Sequence, residues 1–173
     1  MKTSKHTHPG KTSASSGHTL DGPIPGLVHH CFGCSQENRH GLHLRFQETP
    51  DNGGVASEFR VPRRFEGPPG HVHGGIIATI LDEAMGKVNR QKGIVALTRH
   101  MSIDYLQPVP LATRLRAVGW SVKEEGRKHF HAGEIRTLDG AVLARGNGVF
   151  IAINSAELFQ KYKQRLTFSA SNQ

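Results

Sequence analysis

Residues 73–91 read as one long helix, and it is the feature that most limits what this chain can fold into. Ile76, Ile77, Ile80, Leu81, Ala84, Met85 and Val88 recur at the i, i+4, i+8 spacing of a helix with a single apolar face. One such face calls for one covering layer, and the flanking sequence supplies strands. Upstream, Leu42, Leu44 and Phe46 alternate within 41–46 like a half-buried strand. Residues 55–61 form the second strand of a hairpin turned at Asp51-Asn-Gly-Gly54. Downstream, Val95, Leu97, Met101, Ile103 and Tyr105 fall on one face of a strand that Pro108 and Pro110 end. Strands over 112–123 and 128–137 follow, and Leu138-Asp-Gly-Ala141 turns the chain into a last strand over 142–153. A short helix is expected over 156–165. Two strands, one helix and a four-strand antiparallel run predict an α+β domain whose sheet wraps the helix.

The 173 residues are enough for one domain with a real core. Residues 1–22 carry only Met1, Ala14 and Leu20 as apolar side chains, too few to offset the entropy of ordering, and Pro23 to Gly26 is rich in breakers. A disordered polar tail and linker over 1–26, with the folded domain over 27–173, is therefore expected. The tail has no apolar core of a secretory signal, and it lacks the Arg and the amphipathic period of a mitochondrial leader. No apolar run approaches the ~20 residues of a membrane span. Two cysteines are too few for a disulfide scaffold, which fits a reducing cytoplasm. The formal net charge of +8 favours an anionic partner, nucleic acid or a phosphorylated small molecule. With 6% aromatics and no nucleic-acid-binding signature, the sequence gives no support to the first.

On a helical wheel with Ile76 at zero, the apolar face centres near ~90° and Glu83 falls at ~340° between Lys87 and Arg90, as on a solvated face. Asp82 falls at ~240°, on a stripe with Gly75, Ala78, Thr79, Gly86 and Asn89. No cation flanks it there, and it lies more than two turns into the helix, where the dipole no longer explains an acid. A carboxylate among small residues leaves room for a ligand. At the helix start, Gly74 and Gly75 either ease a tight entry after Pro68, Pro69 and Gly70 or leave backbone N–H groups open to an oxyanion. Gly74 and Asp82 are ~12 Å apart along the axis, so one helix cannot offer both to one carbonyl; two antiparallel helices of a symmetric dimer can.

The run Phe65-Glu-Gly-Pro-Pro-Gly-His-Val-His-Gly-Gly75, followed by Asp82, resembles the HGG-x6-D segment of the hotdog-fold acyl-CoA thioesterases, in the branch of the phenylacetate-pathway and mammalian thioesterase-superfamily members. Cys31-Phe-Gly-Cys34 with Asn38 and residues 41–46, and Ile103-Asp-Tyr105 with Pro108 and Pro110, are similar to that branch as well. The resemblance covers about 31–153. It implies a long antiparallel sheet wrapped round one central helix, a homodimer or dimer of dimers, and hydrolysis of acyl-CoA to acid and CoA. Asp82 would be general base or nucleophile, the Gly74 N–H the oxyanion donor, His73 a support, and Thr98 the group that positions water. Gly67 stands where some members place an Asn, which with Gly75 bears on substrate binding.

CoA would enter as part of the substrate, with no separate cofactor, and Arg114, Arg116, Arg145 and Lys128 are candidates for its phosphates. A Cys31-x-x-Cys34 pair with His29, His30, His40 and His43 could supply a zinc set, but the spacing fits no finger pattern and no metal site is expected. The His-x-His pairs at 71/73 and 129/131 are a weaker metal signal still. Two further functional classes stay open: a hotdog enoyl-CoA hydratase using His73 with Asp82, and a non-catalytic acyl-CoA-binding regulator.

Overall fold

The computed structural model describes residues 29–49 and 53–154, together with 20, 156 and 160. The expected tail and most of the expected C-terminal helix lie outside the described residues.

Six strands form one antiparallel sheet: β1 (Gln47–Thr49), β2 (Gly54–Phe59), β3 (Ala96–Tyr105), β4 (Leu115–Glu125), β5 (Lys128–Thr137) and β6 (Val142–Ala152). The helix α1 (Gly74–Gln91) separates β2 from β3 in the chain. In space the strand order is β1-β2-β4-β5-β6-β3, so β3 is carried to the far edge and pairs only with β6. The three long hairpin strands β4, β5 and β6 make the floor on which α1 lies. Thus the predicted α+β arrangement, one long antiparallel sheet around one helix, is the fold observed.

The expected apolar face is the buried one. Ile77, Ile80, Leu81, Ala84, Met85 and Val88 sink into a core completed by Leu115, Ala117, Ile135 and Phe150. Each large side chain of this kind contributes about 1.5–3 kcal/mol on leaving water. The sheet makes room with glycine. A Cβ on Gly119 would lie 2.3 Å from the Ala84 carbonyl oxygen, and one on Gly146 would lie 3.3 Å from Met85 Cε. The helix backbone can approach β4 closely because Gly119 has no side chain.

Two expectations about strands change. Leu44 and Phe46 are buried as their alternation predicts, but residues 42–46 are not a ladder strand, and β1 begins only at Gln47. His43 takes a positive φ of 54°, and Leu42 and Leu44 donate instead to the carbonyls of Phe32 and Gly33. The segment is thus tied to the Cys31–Cys34 turn. In β3, Leu97 is exposed while Met101 and Ile103 pack on the core. Pairing with β6 shifts register between Thr98 and His100, so Arg99 is a bulge and the inward phase changes there. Thr98 and Met101, an odd number of residues apart, can share the helix-facing side only through that bulge.

Candidate active site

The helix begins on an extended residue, His73, at φ −60° and ψ 138°. Its Nδ1 accepts the Gly75 N–H at 3.0 Å, which places the ring proton on Nε2, and its carbonyl accepts from Ile76 and Ile77. Imidazole thereby does the capping work more often done by Ser or Asp. The N–H of Gly75 is consumed inside the chain, whereas that of Gly74, the first helical residue, has no partner among the described residues. Of the two glycines singled out in the sequence, Gly74 is therefore the one with an amide to offer. Gly67 acts by shape: its own Cβ would fall 2.8 Å from His73 Cα, so the glycine lets the preceding loop close against the cap.

Tyr105, expected on a strand face and in the last block of the resemblance, stands beside this N-terminus. Its hydroxyl donates to the Gly74 carbonyl at 3.2 Å, and its ring carbons would lie 3.7 Å from a Cβ on Gly74. A Cβ at position 74 would meet the Tyr105 ring in ordinary van der Waals contact. The signal for Tyr105 lay in β3 returning along the helix, which spacing alone does not reveal.

Two turns further along α1, the Asp82 carboxylate accepts the Thr98 hydroxyl at 2.7 Å. Burial raises the pKa of Asp82 above the ordinary aspartate value, and the Thr98 hydrogen bond partly offsets this by favouring the ionised form. The pair borders a cavity of about 280 Å³ closed below by Phe150 and Ala96. The structure brings Asp82 and Thr98 together, while Gly74 and His73 sit at the N-terminus of the helix, more than two turns away.

The same cavity is bordered by Cys31, Cys34, Glu83 and Lys87. Here the solvated face expected for Glu83 is corrected. The turn at Cys31 covers it, with the Cys31 thiol 3.1 Å from Glu83 Oε1, and burial is the main cause of a Glu83 pKa raised to about 7. Lys87 is buried too, donating to the Leu20 carbonyl at 3.0 Å rather than pairing with Glu83. A helical wheel cannot register a loop that arrives from fifty residues upstream.

The arginines are dispersed. Arg116 and Arg145 alternate with core residues on β4 and β6 and so stand on the face of the sheet turned away from α1 and Asp82. Arg145 is engaged with Glu134 at 2.7 Å, and Arg114 with Glu58 at 2.6 Å. Arg116 borders a second cavity, of about 490 Å³, with Trp120 and Arg136. Exposed Lys128 opens β5. The candidate histidines do not gather a metal. His43 Nε2 bonds the Asn38 carbonyl, His71 the Pro69 carbonyl, and His131 the buried Asn89 side chain. Burial, with His129 next, lowers the pKa of His131 to about 4, which keeps it neutral. Among the described residues, the one group of three potential ligands within mutual reach is Cys31, Cys34 and Glu83. No helix among the described residues is long and apolar enough to cross a membrane.

Comparison with known proteins agrees with this fold. The model of the thioesterase superfamily matches residues 69–144, which contain α1, the Asp82–Thr98 pair and the helix N-terminus. The rat acyl-coenzyme A thioesterase THEM4 is 38% identical over 90 residues, 51% of this chain and 39% of the rat protein. The chain thus spans well under two thirds of that relative. The crystal structure of the BH2602 protein of Bacillus halodurans, solved with CoA, is 34% identical and superposes with a TM-score of 0.57 over 69% of this chain and 84% of its own. The E. coli PaaI protein, from the phenylacetic acid degradation operon, shares the fold at 19% identity, TM-score 0.60, over 65% of this chain and 81% of its own. With one long antiparallel sheet around one helix, the family model matching residues 69–144 and the BH2602 structure 34% identical with 84% of it covered, the chain belongs to the thioesterase superfamily and has its hotdog fold.

Proposed function

We propose that the protein hydrolyses acyl-CoA thioesters to the free acid and CoA. The observation that carries this reading is the Asp82 carboxylate, half-buried on a cavity wall and held by the Thr98 hydroxyl at 2.7 Å. A thioester is an activated acyl donor, so its hydrolysis needs little more than a placed water, a base and a donor for the developing oxyanion. As general base, Asp82 takes a proton from water while the water oxygen bonds to the carbonyl carbon. The carbonyl oxygen gains the negative charge and accepts the Gly74 N–H. On collapse the C–S bond breaks and the proton passes to the CoA sulfur. As nucleophile, Asp82 would instead form an acyl anhydride that water then opens; single turnover in heavy-oxygen water distinguishes the two by label in the Asp82 carboxylate. No cofactor is needed beyond the CoA carried by the substrate.

The two halves of this machinery belong to two chains. Gly74 and Asp82 are ~12 Å apart on one straight helix, too far to meet at one carbonyl. The ten-residue strand β3 is an open sheet edge, able to pair with its own copy about a two-fold axis. Such a homodimer sets the helices antiparallel and brings Gly74, Tyr105 and His73 of one subunit to Asp82 and Thr98 of the other. A dimer of dimers would build on it, with Arg116 the arginine of the three candidates most open to CoA phosphates.

The test is thiol release from short, long and aromatic acyl-CoAs, compared with Asp82→Asn. Release that disappears in the variant while acyl-CoA still binds supports the mechanism. Equal release from both would remove Asp82 from it, and binding without release by the native protein would favour a regulator.

A further inference from the structure

We propose that Cys31, Cys34 and Glu83 form a binding site for a thiophilic divalent cation of the zinc class, pinning the N-terminal loop to α1 one residue from Asp82. One thiol sulfur from each cysteine and a carboxylate oxygen of Glu83 all lie within 4.8 Å of one another, and the Cys31 sulfur is already 3.1 Å from Glu83 Oε1. Ligands of a tetrahedral zinc are roughly 3.5 Å apart, given Zn–S and Zn–O bonds of about 2.3 and 2.1 Å, so small side-chain rotations complete the set. Water would take the fourth position, on the side of the cavity that these residues share with Asp82.

The turn brings both sulfurs to the Glu83 carboxylate. The Ser35 N–H closes that turn on the Cys31 carbonyl at 3.1 Å. Gly33 is required here, since a Cβ on it would strike the Glu83 side chain at 2.3 Å. Charge completes the argument. Lys87 is 5% exposed and has no ion pair within 4 Å among the described residues, yet it lies close enough to act on both Cys34 and Glu83. A dication together with the Lys87 ammonium would neutralise the two thiolates and the carboxylate. A buried cation next to three potential anions is otherwise costly unless the charges are matched.

The experiment uses the full chain, reduced with a non-chelating phosphine, stripped of metal and titrated with Co²⁺. The expected result is one Co²⁺ per chain, with sulfur-to-cobalt charge-transfer absorption and the visible bands of a tetrahedral site, displaced by one equivalent of Zn²⁺. Cys31→Ser and Cys34→Ser should each lose the charge-transfer band, and Glu83→Gln should weaken binding by roughly tenfold or more. Zn²⁺ should also protect both thiols of the native chain from alkylation, a readout that depends on no variant. Cobalt bound without thiolate absorption would overturn the proposal. So would thiols that form a disulfide readily but, once reduced, alkylate at the same rate with and without Zn²⁺.

Discussion

In the proposed mechanism, Asp82 and Thr98 set the pH at which the chemistry can run. Burial raises the Asp82 pKa, and the hydrogen bond from Thr98 pulls it part of the way back. A base works only when ionised, so turnover falls as pH drops through that raised value, above the range of an ordinary aspartate. Thr98→Val removes the one interaction that favours the charged form. Its acid limb should therefore move to higher pH than in the native protein, with a loss of roughly tenfold in kcat near neutrality and recovery in Thr98→Ser. A pH–rate profile of the three proteins checks it; a limb unmoved in Thr98→Val would separate Thr98 from the base. At this scale much of the site was legible in the sequence. Asp82 stood out because it sits on a stripe of small residues away from any cation, whereas spacing alone left Gly74 divided between easing a tight helix entry and offering an open amide. Glu83 was not legible. It shares a wheel position with solvated charges, and only the Cys31 turn folding over it reveals a buried acid.

At the scale of elements, the helix and the hairpin strands followed their periods, while irregular backbone defeated the reading. A strand period counted through Arg99 puts Leu97 on the core face; the bulge turns Leu97 out and Thr98 in, toward Asp82. Positive φ at His43 likewise ended a strand that alternation alone would have drawn. Bulges and left-handed residues leave no mark in hydrophobic pattern, and here one of them turns Thr98 toward Asp82. The seat of the helix on the sheet makes a separate prediction. Gly119→Ala drives a methyl into the Ala84 backbone carbonyl, which cannot rotate away, and should cost about 3 kcal/mol of unfolding free energy. Gly86→Ala, whose Cβ would meet only Phe150 at an ordinary 3.8 Å, should instead stabilise by about 0.5–1 kcal/mol by relieving the entropy of a helical glycine. Denaturant melts of the two variants should shift in opposite directions. A shared direction would mean that helix and sheet do not approach as closely as Gly119 implies.

For the whole molecule, the central question is whether one chain can make a site, and helix geometry answers it before any partner is seen. Gly74 opens α1 and Asp82 lies more than two turns along it, so activity must depend on assembly if both act on one carbonyl. Gly74→Pro is the substitution that isolates the donor. Proline suits the first turn of a helix, and His73, at ψ 138°, already has the extended conformation that a following proline requires. The change should remove the N–H and leave the helix intact. Asp82→Asn alone and Gly74→Pro alone should each be nearly inactive. After the two are mixed and subunits exchange, heterodimers should hold one site with both faults and one with neither, because each site draws its donor from one chain and its base from the other. A random mixture then contains half heterodimers, each with one native site, and should recover roughly a quarter of native turnover. Thiol release before and after exchange, with mass spectrometry to confirm mixed dimers, reads the result. Mixed dimers without recovered activity would place donor and base on a single chain, and would require another amide than Gly74 to face Asp82.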